Sequence, residues 1–523
     1  MTQIKPISYS LRCRQHAALT PTRAAIVTVS EDGTESTLDY RELNDRVERA
    51  AGVLQRAGGG PGSLVIVSLP ASASHLIAAL AAWRLGACVL PLNPGMPPAE
   101  RQKMLDLAAQ WRPLLIVAHW HVPGISCLDP THLDRSGGGD PVGPLVDVTP
   151  CPGKAIGSGG STGRPKIIVD PKPWAHIPGH WGALTRVGLR AAQTQLIAGA
   201  LHHNVGFFLS HIGLFEGHTL ILPKRFDAEQ AVDLIGRHRV QFAGLLPIMM
   251  QRIAKLPGAE RRDFSSLEAV YHSGGVCPEW VKRFWLRLMP PSRVWELYGG
   301  TEDVGIVMIN GQEWLERPGS VGRPYHSHVV VLGESGRRLP PNEVGEIRIR
   351  SSVPVTTRPG EHWPLDPGFE YIGQPTPARD RDGFASIGDL GWLDPQGYLY
   401  LADRRVDMIK SGGINIYPAE VESALSEHPE VQDTAVIGVP DPEWGQRVHA
   451  LVQPVTWPSS ITAGALDAFC RERLSAYKVP KSYELCQALP RDSAGKIRRS
   501  ALREERAAGC FRGTLLERAT SLN

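Results

Sequence analysis

A chain of 523 residues is too long for one hydrophobic core and, at roughly 100–200 residues per domain, holds two to four of them. With 42% hydrophobic residues, 21% charged residues and a formal net charge of +3, it has an ordinary globular make-up that implies neither nucleic acid nor a membrane surface as partner. No stretch approaches about 18 uninterrupted apolar residues and no apolar run follows the N-terminal charges, so neither membrane span nor signal peptide is predicted and a cytoplasmic location is expected. The eight cysteines include no C-x-x-C and the eighteen histidines no H-E-x-x-H, which argues against a disulfide framework or a zinc centre.

In chain order, residues 39–58 predict an amphipathic helix. Asp39 is the N-cap, Glu42 stands three residues on, Leu43, Val47, Ala50 and Leu54 share a face, and Gly58 ends it. A buried strand follows at Leu64-Val65-Ile66-Val67, then a helix from about Ser74 to Leu85 and a strand over 87–92: the rhythm of a parallel sheet with helices on its faces. Residues 122–153, rich in Pro, Gly and Asp, read as a surface loop. Next comes Gly157-Ser158-Gly159-Gly160-Ser161-Thr162-Gly163-Arg164-Pro165-Lys166, flanked by strand formers at 154–156 and 167–169. Its glycines let backbone N–H groups approach anionic oxygens, its hydroxyls add donors and its two cations add countercharge, so a polyphosphate cradle is predicted. Composition alone would fit a plain exposed turn equally well. No G-x-x-x-x-G-K-[ST] or G-x-G-x-x-G opens a helix here, which disfavours the usual nucleoside-triphosphate and dinucleotide loops.

From 194 to 310 the alternation resumes, with strands near 219–222, 241–245, 269–273 and 293–297. Their carboxyl ends run into His272-Ser273-Gly274-Gly275 and Tyr298-Gly299-Gly300-Thr301-Glu302, where open parallel sheets build their sites. After 319, short strands near 329–332, 346–350 and 398–401 predict a β-rich subdomain, and proline-rich 353–379 an irregular insertion. Segments 417–428, 437–453, 462–476 and 496–506 form a small α+β unit, and the residues after Gly509 read as a loose tail. The predicted division is 1–403, a hinge at 404–406, and 407–523.

These motifs, in this order over nearly the whole chain, resemble the adenylate-forming superfamily of acyl-CoA synthetases, luciferases and nonribosomal adenylation domains. The resemblance implies an α/β fold with a large N-terminal part of packed α/β sheets and a β-rich subdomain, and a small, mobile α+β C-terminal domain. It implies that Ser158, Gly159, Gly160, Ser161, Thr162, Gly163 and Lys166 hold the ATP phosphates, and that Gly274-Gly275-Val276 wall the adenine on which Tyr298 stacks beside Gly299 and Gly300. Thr301 would donate to the α-phosphate and Glu302 hold Mg²⁺; Asp389 would bind ribose and Arg404 ribose or phosphate. Lys496, in Asp492-Ser493-Ala494-Gly495-Lys496, would bridge the attacking carboxylate and the α-phosphate, where two anions must meet. In Leu201-His202-His203-Asn204-Val205-Gly206, His203 aligns with the family's histidine beside the acyl carbonyl and is a candidate catalytic residue, although a gate or wall role fits it better; His202 replaces the usual aromatic.

The acid pocket is expected near His202, Val205, Gly206, Leu246, Ile248, Val304 and Gly305. These are mostly apolar, which favours a hydrophobic monocarboxylic acid over a free amino acid. Gly412 and Gly413 resemble the loop that lines the pantetheine tunnel of CoA ligases after the small domain rotates. Val406 stands where the hinge residue is usually Asp or Lys, and Gly159-Gly160 where Ser-Gly is more frequent. Together with 402–408 these most resemble the bile-acid-type CoA ligases, some of whose neighbours, such as coronafacic acid ligase, deliver the acyl group to an amine. The expectation is an ATP- and Mg²⁺-dependent acid ligase using CoA, acting as a monomer or homodimer. An amine acceptor is the alternative; a non-catalytic nucleotide binder and an ADP-forming phosphotransferase are the rivals.

Overall fold

The computed structural model describes residues 5–134, 147–158, 165–352, 356–358, 361–362, 368–404, 406–492, 495–511 and 513–516. Asp39 accepts from Glu42 N at 2.8 Å and starts the helix Tyr40–Arg56, whose Leu43, Val47, Ala50 and Leu54 are at most 1% exposed. The next helix, Ala73–Arg84, is capped by Ser72 and buried all round from His75 to Arg84, so it packs as a core helix and not as an amphipathic one.

Two sheets carry the N-terminal part. The seven-stranded sheet runs Glu370–Ile372, Lys166–Asp170, Lys154–Ser158, Cys88–Pro91, Leu64–Ser68, Leu114–Ala118, Ser126–Leu128; the last five strands are parallel. The predicted hairpin is there: Lys154–Ser158 pairs antiparallel with Lys166–Asp170, Ser158 opposite Lys166. Two segments expected to be irregular contribute strands. Ser126–Leu128, from the 122–153 loop, pairs with Leu114–Ala118, and Glu370–Ile372, from the proline-rich insertion, pairs with Lys166–Asp170. Each satisfies an edge whose N–H and C=O groups would otherwise lie open.

The second sheet has thirteen strands. Six parallel strands, from Ala24–Val29 across to Val294–Tyr298, are followed by an antiparallel run. The strands expected as a separate β-rich subdomain extend this sheet, because Ser320–Tyr325 pairs with Ile306–Asn310 on one side and Leu399–Arg404 on the other.

The C-terminal unit is a four-stranded sheet, Val431–Asp441, Gly445–Pro454, Ser482–Leu485 and Thr514–Leu516, with helices Pro418–Ser426, Ala463–Arg471 and Arg499–Ala507. The residues after Gly509 are therefore not only a tail. Thr514–Leu516 pairs with Ser482–Leu485, and the fully buried Glu484 accepts from Gly513 N at 2.8 Å and from Arg506 at 2.8 and 3.0 Å.

Three histidines buried in the large part make stability depend on acid. Burial depresses His75 to about 4, His211 to about 3 and His218 to about 4. The unfolded chain protonates them near 6.5, so below that pH it binds more protons than the fold, and stability is lost as pH falls from 6.5 towards 4. Each adds a slope of up to about 1.4 kcal/mol per pH unit. The urea midpoint followed by tryptophan fluorescence is expected to drop steeply between pH 6.5 and 5; a flat midpoint across that window would contradict it.

Candidate active site

The carboxyl ends of the parallel strands from both sheets and one face of the C-terminal unit enclose a cleft of about 1800 Å³. Ser158 and Lys166, at the adjoining ends of the hairpin strands, line the cleft, while Gly159, Gly160, Ser161, Thr162 and Gly163 lie outside the described residues.

Lys166 Nζ stands 3.5 Å from Glu302 Oε1 and 3.5 Å from the centre of the Tyr371 ring, and the Tyr371 hydroxyl donates to the same Glu302 oxygen at 2.5 Å. Glu302 is 11% exposed, so its charge is little screened. A side chain at Gly300 would place Cβ 2.6 Å from Glu302 Oε2 and would have to displace that carboxylate. Thr301 lines the cleft beside them.

Tyr298 ends its strand 9% exposed and donates through its hydroxyl to Asp389 Oδ2 at 2.8 Å, joining the residues expected against adenine and ribose. Arg404 pairs with Asp389 in the antiparallel register of the next strand. Gly274, at φ +85°, turns the chain under Leu246, and with Gly275, Val276 and Gly299 it lines the same wall.

Lys496 reaches the cleft from the C-terminal unit on a locked turn. Asp492 N donates to Lys496 O, Lys496 N donates to Asp492 Oδ1, both at 2.9 Å, and Gly495 N donates to Asp492 O at 2.8 Å. Arg491 fastens the turn with two bonds to Asp433, at 2.6 and 2.7 Å, and one to Gly495 O at 2.6 Å. Gly495 has φ +71°, and a Cβ there would lie 2.7 Å from Ile248 Cγ2, so the turn seats directly on the pocket wall. The unit is held down elsewhere too. Lys255 donates to the carbonyls of Ser426 and Val431, Gln251 to Gln432 O at 3.1 Å and Trp280 Nε1 to Ser426 Oγ at 3.0 Å, while Arg498 pairs with Glu100 at 2.9 Å.

The rings of His202 and His203 meet at 4.5 Å between centres, tilted by 50°. Burial, then the Lys496 charge, lowers His203 to about 4; burial, then His203, lowers His202 to about 3, with Asp492 opposing. At neutral pH both are uncharged and weakly basic, which suits a wall beside a carboxylate better than a general base.

Val205, Gly206, Leu246, Ile248 and Gly305 line the cleft. Val304 does not: it is fully buried with Val307, Ile347 and Ile349, because the chain reverses between Asp303 at φ +50° and Gly305 at φ +146°. Gly412 and Gly413 also stand outside the cleft. Gly412 abuts Trp444, and Gly413 faces open space, at the turn of the Ile409–Ser411/Ile414–Ile416 hairpin of the C-terminal unit.

Sequence reasoning missed Tyr371, which sat in an apparently irregular insertion, and Arg491, whose partner Asp433 is far along the chain. It also missed Lys154 and an aromatic wall of Trp174, Trp181 and Phe208. A lysine two residues ahead of Ile156 carried the one available signal, a charge within a buried strand.

The chain is similar to known proteins over most of its length. The family profile described as AMP-binding enzyme matches residues 13–118 and 156–356, and that described as AMP-binding enzyme C-terminal domain matches 420–496. A feruloyl-CoA synthase of Amycolatopsis sp is 33% identical over 488 residues, covering 89% of this chain and 93% of the relative. A 2-succinylbenzoate–CoA ligase of Bacillus licheniformis is 29% identical over 94% of this chain and 98% of its own. Among solved structures, o-succinylbenzoate CoA synthetase of Bacillus subtilis, in complex with its acyl-adenylate intermediate, superposes with a TM-score of 0.78 at 25% identity, covering 98% of this chain and all of the other.

Proposed function

This chain belongs to the AMP-binding enzyme family, and on that premise we propose that it is an ATP-dependent carboxylic-acid ligase that forms an acyl adenylate and passes the acyl group to CoA. The observation that carries the reading is the delivery of Lys496 by the C-terminal unit into the cleft that holds Thr301, Glu302 and His203. A module that only bound nucleotide would have no use for a cation beside the acid pocket.

The acid enters over Val205, Gly206, Leu246 and Ile248, with the neutral His202–His203 pair against its carboxylate. Its oxygen attacks the α-phosphorus of ATP, the bond to the β-phosphate bridging oxygen breaks, and pyrophosphate leaves. Lys496 spans the two anions, and Thr301 donates to the α-phosphate. Lys166 and the glycine-rich loop from Ser158 hold the departing phosphates. Gly274, Gly275, Val276 and Tyr298 take the adenine, Asp389 the ribose diol, and Arg404 the ribose or phosphate. Glu302 fits Mg²⁺: it is a single carboxylate at the phosphate end, and the described residues hold no cluster of three or more metal-binding side chains, which suits a cation that keeps most of its ligands from phosphate and water. Bound there, Mg²⁺ would neutralise charge on the phosphates.

For the second step, rotation about 404–406 would withdraw Lys496 and bring Gly412 and Gly413 to the cleft, where their lack of side chains leaves room for pantetheine. The CoA thiolate then attacks the acyl carbonyl and AMP leaves. Val406, 47% exposed, can absorb the backbone change without breaking core packing. The division into 1–403, hinge and 407–523 belongs to the same proposal. The aromatic wall favours a hydrophobic, ring-bearing acid. No helix among the described residues is long and apolar enough to cross a membrane, and with ATP and CoA as co-substrates a cytoplasmic enzyme is the consistent reading.

The test is one turnover mixture of ATP, Mg²⁺, ring-bearing acids, CoA and amino acids, read by mass spectrometry. AMP together with a thioester formed only when CoA is present is the expected result. ADP, or an amide formed without CoA, would overturn it.

A further inference from the structure

The floor of the acid pocket holds a cation that the adenylation chemistry does not use. Lys154 begins the strand that leads to the glycine-rich loop; it is 6% exposed and lines the cleft. Its Nζ donates to Asn204 Oδ1 at 3.0 Å, and among the described residues this is its one hydrogen bond. Asp170 stands opposite it in the strand register, yet the described residues place no carboxylate within 4.0 Å of the ammonium. The rings of Trp174 and Phe208 flank Nζ at 5.5 and 5.4 Å from their centres. Close by, Trp174 Nε1 and His176 Nε2 are buried without hydrogen-bond partners among the described residues.

An ammonium has three N–H groups, and burying it with one satisfied is expensive. The two aromatic faces and the more distant charges of Asp170 and Asp303 recover part of that cost, but among the described residues no second oxygen lies within hydrogen-bond reach of Nζ. Burial lowers the Lys154 pKa, with Asp170 and Asp303 opposing, as expected of a buried cation that no carboxylate touches. Such a group is retained where a ligand completes it. Its position says which ligand. Lys496 acts on His203, whereas Lys154 is bonded to Asn204, the next residue, and backed by the aromatic wall. An acid with its reacting carboxylate beside His203 lays its body against Trp174 and Phe208 and its far end towards Lys154.

We propose that Lys154 forms an oxygen-binding subsite in the acid pocket, and that the acid this enzyme activates carries, besides the reacting carboxylate, a second oxygen acceptor (a ketone, a hydroxyl or a further carboxylate) that takes the remaining N–H groups of Lys154. This rests on the ligase reading and narrows its substrate class from a plain hydrophobic acid to an oxygenated one.

The experiment compares matched acids of two lengths: cyclohexanecarboxylate with 4-oxocyclohexanecarboxylate and cyclohexane-1,4-dicarboxylate, and cinnamate with 4-hydroxycinnamate. ATP–pyrophosphate exchange by the full chain is expected to favour an oxygenated member over its plain partner by about 10- to 100-fold in kcat/KM. The oxo and dicarboxylate arms tell a neutral from an anionic acceptor. In Lys154→Met the ratio should collapse towards one through loss on the oxygenated acid. Asn204→Asp, which pairs the ammonium internally, should shrink it as well. Equal kcat/KM within both sets for the wild type, or a preference that survives Lys154→Met, would overturn the subsite. If no acid supports exchange, the ligase reading falls instead, and titration calorimetry of the same acids decides the subsite: tighter binding of an oxygenated acid, lost in Lys154→Met, sustains it, and equal binding removes it.

Discussion

Lys496→Ala is expected to cut ATP–pyrophosphate exchange by at least about 100-fold, while conversion of a pre-formed acyl adenylate and CoA to thioester stays within a few-fold of wild type. Two anions must approach before the phosphorus–oxygen bond forms, and a fixed cation in a site shielded from water lowers that barrier without reorganising. The turn that presents Lys496 is bonded within itself through Asp492 and anchored by Arg491 to Asp433, so alanine removes the charge without loosening the backbone. Thioester formation is the control, because the proposed rotation takes this turn out of the cleft. Intact exchange in the variant, or equal losses in both half-reactions, would count against the assignment. Arg491→Met should reproduce part of the exchange defect by freeing the turn, and no more than part, since the ammonium is still present.

Glu302→Gln is expected to lower exchange by about 100-fold and to raise the Mg²⁺ concentration needed for half-maximal rate, with little change in acid binding. Glutamine keeps the length of the side chain and can still accept from the Tyr371 hydroxyl, so the shape of the site survives. The formal charge does not, and a hard cation bound through one protein carboxylate and substrate phosphates is weakened by its loss. Lys166, 3.5 Å away, would then face a neutral amide, adding to the local excess of positive charge. An unchanged Mg²⁺ titration would show that Glu302 serves the Lys166–Tyr371 cluster and not the metal. Tyr371→Phe separates the two readings further: it removes one bond to Glu302, leaves the carboxylate charge, and should change exchange by no more than about 10-fold.

Much of this protein is legible in its linear order. The helix Tyr40–Arg56, the strands Leu64–Ser68 and Cys88–Pro91 and the hairpin around the glycine-rich loop follow from period, caps and β-branching, all short-range properties. The site motifs are equally local, because a loop at the end of a strand must carry its own glycines and hydroxyls to meet a phosphate. What a short window cannot contain is a partner far away in the chain. Glu370–Ile372 and Thr514–Leu516 look irregular alone and become strands because Lys166–Asp170 and Ser482–Leu485 leave edges for them. Val304 looks like pocket lining beside Gly305 and turns to the core because positive φ on both sides reverses its direction.

Sequence by itself determined the chemistry offered: the glycine-rich loop with its hydroxyls and cations, the Thr301-Glu302 pair, Asp389 and a lysine near the end of the C-terminal unit. Only the tertiary structure decided how those groups meet. It seated Lys496 beside His203, left Gly412 and Gly413 outside the cleft, joined Tyr371 to Glu302, and buried Lys154 with one hydrogen bond among the described residues. The physical reason is that residue type specifies which charges and donors a chain possesses, whereas desolvation and distance, which set what those charges are worth, arise only when segments hundreds of residues apart close around the same space.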